Sequence, residues 1–163
     1  MFEQYSEEPA AGPLAPSLTP AVSRLRKLMG GVPHSLAMID PKRAAAPLHE
    51  GGWNPKQVLG HLIDSASNNH QRFVRALMQP ELTWPNYDGD AWVDSQAYAS
   101  AAWGALVQFW TDYNTHLLRV IAQIPEEKIG TICRIGDDPP LTLGELIDSY
   151  VDHLEHHLKQ VLG

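Results

Sequence analysis

Apolar positions recur at three- and four-residue spacing in four stretches of the chain, the period of a helix with one buried face. The first stretch is roughly 20–39, where Val22, Leu25, Leu28, Met29, Leu36 and Ile39 repeat. Gly30-Gly31-Val32-Pro33 interrupts it, so two pieces or a kink are expected, with Pro41 as the stop. The second begins most clearly: Asn54 suits an N-cap, Pro55 the first helical position, and Gln57 closes a capping box. Its stripe runs from Val58 to Leu77 and stops at Pro80. The third spans about 94–124, with Tyr98, Ala102, Leu106, Phe109, Tyr113, Leu117, Val120 and Ile124 facing inward. The fourth has Thr142 as cap and Glu145 three residues on, then Leu143, Leu146, Ile147, Tyr150, Val151, Leu154, Leu158, Val161 and Leu162. Between them, 80–91 reads as an irregular loop, and 126–141 as room for one short extended turn but no sheet. The expectation is all-α: an antiparallel four-helix bundle whose long connecting loops cover one end. Residues 1–19, rich in proline, form a partly ordered N-terminal extension, and 20–163 the bundle domain.

Composition narrows the function. The 163 residues carry 12 Lys+Arg against 19 Asp+Glu, a formal charge of −7. Proteins that neutralise phosphates are usually basic, so nucleic acid and anionic membranes are disfavoured as partners. The acidic, polar start resembles no secretory signal and no apolar run reaches the ~20 residues of a membrane span, so a cytoplasmic location is expected. The one cysteine, Cys133, excludes an intramolecular disulfide and lacks a basic partner, which favours an inert thiol.

Histidine is over-represented: there are eight, three of them in Asp152-His153-Leu154-Glu155-His156-His157. A helix advances about 100° per residue. With Tyr150 at zero, the apolar side chains of the fourth helix span roughly −40° to +120°, His157 falls at about −20°, His153 at about −60° and His156 at about 240°. His153 and His157 therefore share the inward margin, one turn apart, and His156 faces water. Such a pair suits a shared metal, although a solvated or core-edge pair is the commoner outcome. His61, beside a polar strip of Ser65, Asn68 and Arg72, could complete a three-His set if its helix adjoins the last one. That strip is either solvated surface or a cavity wall. No Glu follows His153, which removes the metalloprotease motif, and the apolar faces lack the carboxylates of a di-iron bundle. His34, His49, His70 and His116 read as ordinary surface or rim residues.

Trp53-Asn54-Pro55-Lys56-Gln57-Val58-Leu59-Gly60-His61 followed by Leu62-Ile63-Asp64-Ser65-Ala66 resembles the capped second helix of DinB-like (damage-inducible) proteins. Tyr150-Val151-Asp152-His153-Leu154-Glu155-His156-His157 resembles the last helix of the same superfamily, the DinB/YfiT type that includes bacillithiol S-transferases. The resemblance covers about residues 20–163. It implies a four-helix bundle, often dimeric, with a divalent metal on three histidines, here His61, His153 and His157. Zinc or nickel is the first choice of cofactor.

Three imidazoles leave coordination positions open, as in catalytic rather than structural sites. The expected function is a metal-dependent transferase or hydrolase acting on a small molecule, with a low-molecular-weight thiol as a possible nucleophile. The 80–92 loop is expected to wall the pocket through Tyr87, Asp88, Asp90 and Trp92, with Asp88 or Asp90 as a base or orienting group. Asp64 and Asn68, one and two turns beyond His61, are candidates to support it. The alternative is a non-enzymatic, stress-linked metal-binding or dimerisation module. Trp103, Val107 and Trp110 lie outside the third helix's main stripe and suit either a homodimer interface or the core.

Overall fold

A computed structural model describes residues 13–163; the first 12 residues of the expected extension lie outside them. The elements run α1 (Thr19–Ala37), α2 (Pro41–Ala45), α3 (Pro55–Met78), β1 (Glu81–Trp84), α4 (Gly89–Gln96), α5 (Trp103–Ala122), β2 (Ile132–Ile135), β3 (Leu141–Thr142) and α6 (Leu143–Leu162). The four long helices make the bundle: α1 and α3 each pack against both α5 and α6. No helix among the described residues is long and apolar enough to cross a membrane.

The two capped starts form as their sequences require. Asn54 accepts from the Gln57 amide while the Gln57 side chain accepts from the Asn54 amide, and Thr142 and Glu145 repeat the arrangement at α6. Trp110, Tyr150, Phe73, Leu62 and Leu117 fill the centre, with the Phe73 and Tyr150 rings edge to face at 5.8 Å.

Three expectations are corrected. First, α1 is one helix through Gly30, Gly31 and Pro33 and not two pieces. An interior proline costs roughly 3 kcal/mol in an isolated helix, but Leu36 beyond it is fully buried and its carbonyl accepts from Trp103 Nε1 at 2.9 Å. Tertiary packing carries the helix past the weak point. Second, the third helical stretch is two helices. Asp88 caps α4 by accepting from the Ala91 amide, Ala97 turns left-handed at φ 51°, and α5 starts only at Trp103. The break resets the helical phase. Trp103, Leu106, Val107, Trp110, Asn114, Leu117 and Ile121 face inward, and Phe109 is 54% exposed. Trp103, Val107 and Trp110 are therefore core and not an interface.

Third, a small sheet exists. β1 pairs parallel with β2 (Glu81 opposite Ile132, Trp84 opposite Ile135), and β2 pairs antiparallel with β3. Leu82, Cys133 and Ile135 turn inward. Strands of four and two residues are too short for a period-two pattern to stand out among Gly and Pro. The sheet ties the loop after α3 to the loop before α6, which holds together the two helices that carry the histidines.

Candidate metal centre

His61 lies in the second turn of α3, and His153 and His157 lie a turn apart on α6. The packing of these helices brings one ring nitrogen from each to within 4.8 Å of the others. The ring centroids are 4.6 to 4.9 Å apart, and His61 Nε2 is 2.9 Å from His153 Nε2. Two nitrogens bound at about 2.1 Å and at right angles lie about 3.0 Å apart, so this spacing fits adjacent positions around one ion.

The surroundings hold the rings in place. Trp53, just before the α3 cap, packs on His61 at 5.2 Å. Gly89, at the start of α4, closes on the same ring, and a Cβ there would meet it at 3.2 Å. His157 Nδ1 pairs with Gln160 Oε1 at 2.9 Å, which directs its other nitrogen toward the cluster. His156 contacts Gln160 and packs edge to face on the His157 ring at 5.0 Å, but brings no nitrogen to the group.

Burial pushes the His61 and His153 imidazoles down to about 4, helped by the neighbouring rings, and lowers His157 for the same first reason. All three are neutral at pH 7 and present lone pairs, the form in which imidazole binds a metal. Their chemistry and spacing suit a divalent cation.

Two hollows flank the cluster. One, of about 190 Å³, is lined by Ser65, Asn69, Arg72, Tyr87, Ser149 and His153, among others. The other, of about 440 Å³, is lined by Leu48, His49, Trp53, Val58, His157 and Gln160. The polar strip beside His61 is thus a cavity wall, at least through Ser65 and Arg72. His49, read as a rim residue, faces the second hollow.

The pocket candidates separate. Tyr87 lines the 190 Å³ hollow, and Trp92 packs on it at 5.1 Å. Asn68 and Trp92 line a third, neighbouring hollow. Asp88 is occupied as the α4 cap. Asp90 is exposed, and its charge favours the protonated form of His61, against the larger effect of burial. Asp64 is buried but bonds none of the three rings: Oδ1 accepts from Tyr98 Oη at 2.7 Å and Gln96 Nε2 at 2.8 Å. Sequence reasoning missed Asn69, Ser149, Gln160 and Tyr98. The first three are polar residues of ordinary helical spacing, and only the packing of α3 against α6 shows what they line.

The chain resembles several known proteins. A Bacillus subtilis (strain 168) protein named "Putative metal-dependent hydrolase YfiT" is 30% identical over 118 residues, covering 71% of this chain and 65% of that one. A Bacillus cereus (strain G9842) protein named as a "Putative metal-dependent hydrolase" is 33% identical over 67 residues, 39% of each chain. These matches thus span less than two thirds of the relatives' own length. The solved structure of YfiT, described as "a probable metal-dependent hydrolase with an unusual four-helix bundle topology", superposes with a TM-score of 0.79. It covers 95% of this chain and 89% of that one at 19% identity, a likeness of fold. The family model of the DinB superfamily matches residues 3–161, nearly the whole sequence. The chain belongs to the DinB superfamily.

Proposed function

We propose that the protein is a metal-dependent enzyme acting on a small molecule, with His61, His153 and His157 as ligands of one divalent ion. The observation that carries this reading is three neutral imidazoles converging within 4.8 Å beside a polar hollow that His153 also lines. A divalent ion such as zinc or nickel held by these three rings would supply Lewis-acid polarisation and would favour deprotonation of water or a thiol. The protein's own part is positional. Trp53 and Gly89 fix the His61 ring, Gln160 orients His157, and the bundle keeps the rings neutral. The hollow lined by Tyr87, Ser65 and Ser149 gives room for a substrate beside His153. Hydrolysis is the favoured reaction, in keeping with the names of the two relatives; transfer to a low-molecular-weight thiol is the second arm of the test. A homodimer is part of the proposal, with Phe109 stacked on Tyr113 as the exposed face open to a second copy.

Elemental analysis of tag-free protein, with zinc and nickel titrations, tests the site. The expected result is one ion per chain, lost in His61→Ala, His153→Ala and His157→Ala and kept in His156→Ala. A His61→Ala protein that keeps its ion overturns the ligand set. Loaded protein is then screened with esters and amides, and with electrophiles plus thiols; turnover of neither class overturns the enzymatic reading.

A further inference from the structure

Arg72, on α3, is 6% exposed and lines the same hollow as His153. Among the described residues its buried Nε has no hydrogen-bond partner. Its other contacts are neutral and long: Nη1 to Asn69 Oδ1 at 3.4 Å and Nη2 to Asn86 Oδ1 at 3.5 Å, with the guanidinium 5.9 Å from the Tyr87 ring centre. Among the described residues no acid pairs with it; the Asp138 carboxylate, whose charge reaches it, accepts from Asn86 instead. The more exposed arginines fare better. Arg24 is paired with Asp152 and Glu155, and Arg134 with Glu81. Taking a charge out of water costs several kcal/mol unless an opposite charge meets it. Two of the more exposed arginines thus meet acids, while this buried one has none among the described residues, which leaves its fork open to a ligand.

The chemistry of the missing partner follows from the site. A planar guanidinium with a free Nε edge matches a carboxylate, which accepts two parallel hydrogen bonds. The hollow is smaller than the roughly 300–1,000 Å³ of drug-sized sites, so the acid has few carbons. No lysine lines it to help neutralise a phosphate dianion. We propose that Arg72 is the anchor for the carboxylate of a small acidic substrate, and that this anchoring directs the rest of the molecule toward the three imidazoles. The inference rests on the enzymatic reading above and names its substrate class.

The test uses full-length protein, with and without stoichiometric zinc. Acetate, succinate and benzoate are titrated calorimetrically, with inorganic phosphate as the contrasting arm. The side-chain Nε–H signal of Arg72 is followed by NMR in arginine-labelled protein. At least one of the acids is expected to saturate in the zinc-free protein and to move the Arg72 Nε–H signal. Arg72→Gln is expected to weaken that binding by about tenfold or more, and Arg72→Lys, which keeps the charge without the fork, by less. Arg72→Gln should keep its zinc stoichiometry and, without ligand, melt no lower than wild type, because it removes an unpaired buried charge. Unchanged binding in Arg72→Gln overturns the proposal, as does a melting point several degrees lower, which marks Arg72 as structural. Arg72-dependent binding of phosphate tighter than of any acid overturns the carboxylate assignment. Wild-type protein that binds zinc but none of the acids refutes this inference alone; wild-type protein that binds an acid through Arg72 but no zinc refutes only the ligand set.

Discussion

Gly60 precedes His61, and its missing side chain leaves room for Tyr98. A Cβ built there would meet the tyrosine ring at 2.1 to 2.6 Å, far inside contact distance. The close approach lets Tyr98 Oη reach Asp64, which anchors the segment between α4 and α5 to α3. Gly60→Ala is therefore expected to lose about 1–3 kcal/mol in urea unfolding, the range for overpacking, despite alanine's better helix propensity. A neutral or stabilising result would show that Tyr98 can move aside freely. The histidines give a pH signature in metal-free protein. Their folded values lie below the ordinary 6.5, at about 4 for His61 and His153. Between those limits the unfolded chain binds protons that the folded chain refuses, so acid favours unfolding. The stability that the neutral rings permit is present above about pH 6.5 and lost as pH falls toward about 4. Melting temperatures between pH 7.5 and 4.5 should fall in wild type, and fall less in a His61→Ala, His153→Ala double variant.

The helices differ in how openly the sequence declared them. The starts of α3 and α6 were legible to the residue because each carries a reciprocal cap, a local motif that needs no tertiary help. Thr142→Ala should lower stability by about 0.5–2 kcal/mol, measured by urea unfolding, because it removes the acceptor for the Glu145 amide on the helix that holds His153 and His157. The gap between α4 and α5 was not legible. Its pivot is Ala97, an alanine at φ 51°, where glycine or asparagine would have signalled a turn. Asn114 stayed hidden because it is polar yet fully buried; its amide donates to the Trp110 carbonyl, and its oxygen accepts from Tyr150. The histidine faces needed only helical arithmetic. Arg72 was visible as part of a polar strip, but its lack of an acid partner is a tertiary fact that spacing alone cannot supply.

Across the whole molecule, the bundle buries Trp103 and Trp110 and leaves other apolar groups outside. Phe109 and Met78 are 54% and 76% exposed. If the proposed dimer uses the Phe109 face, sedimentation of wild type should show a two-chain species, and Phe109→Asp should shift it to one chain without changing the helical circular dichroism. A two-chain species that persists in Phe109→Asp would move the interface elsewhere. The parallel pairing of β1 with β2 bears on how the chain is made. Glu81–Trp84 is synthesised about fifty residues before Ile132–Ile135, its register partner. On the ribosome that strand emerges with an open edge and must wait while α4 and α5 are translated. Open edges are where nascent chains join one another. Slow translation of residues 85–135 would prolong that exposure and raise aggregation in the cell, while the finished molecule, once released, would be no less stable.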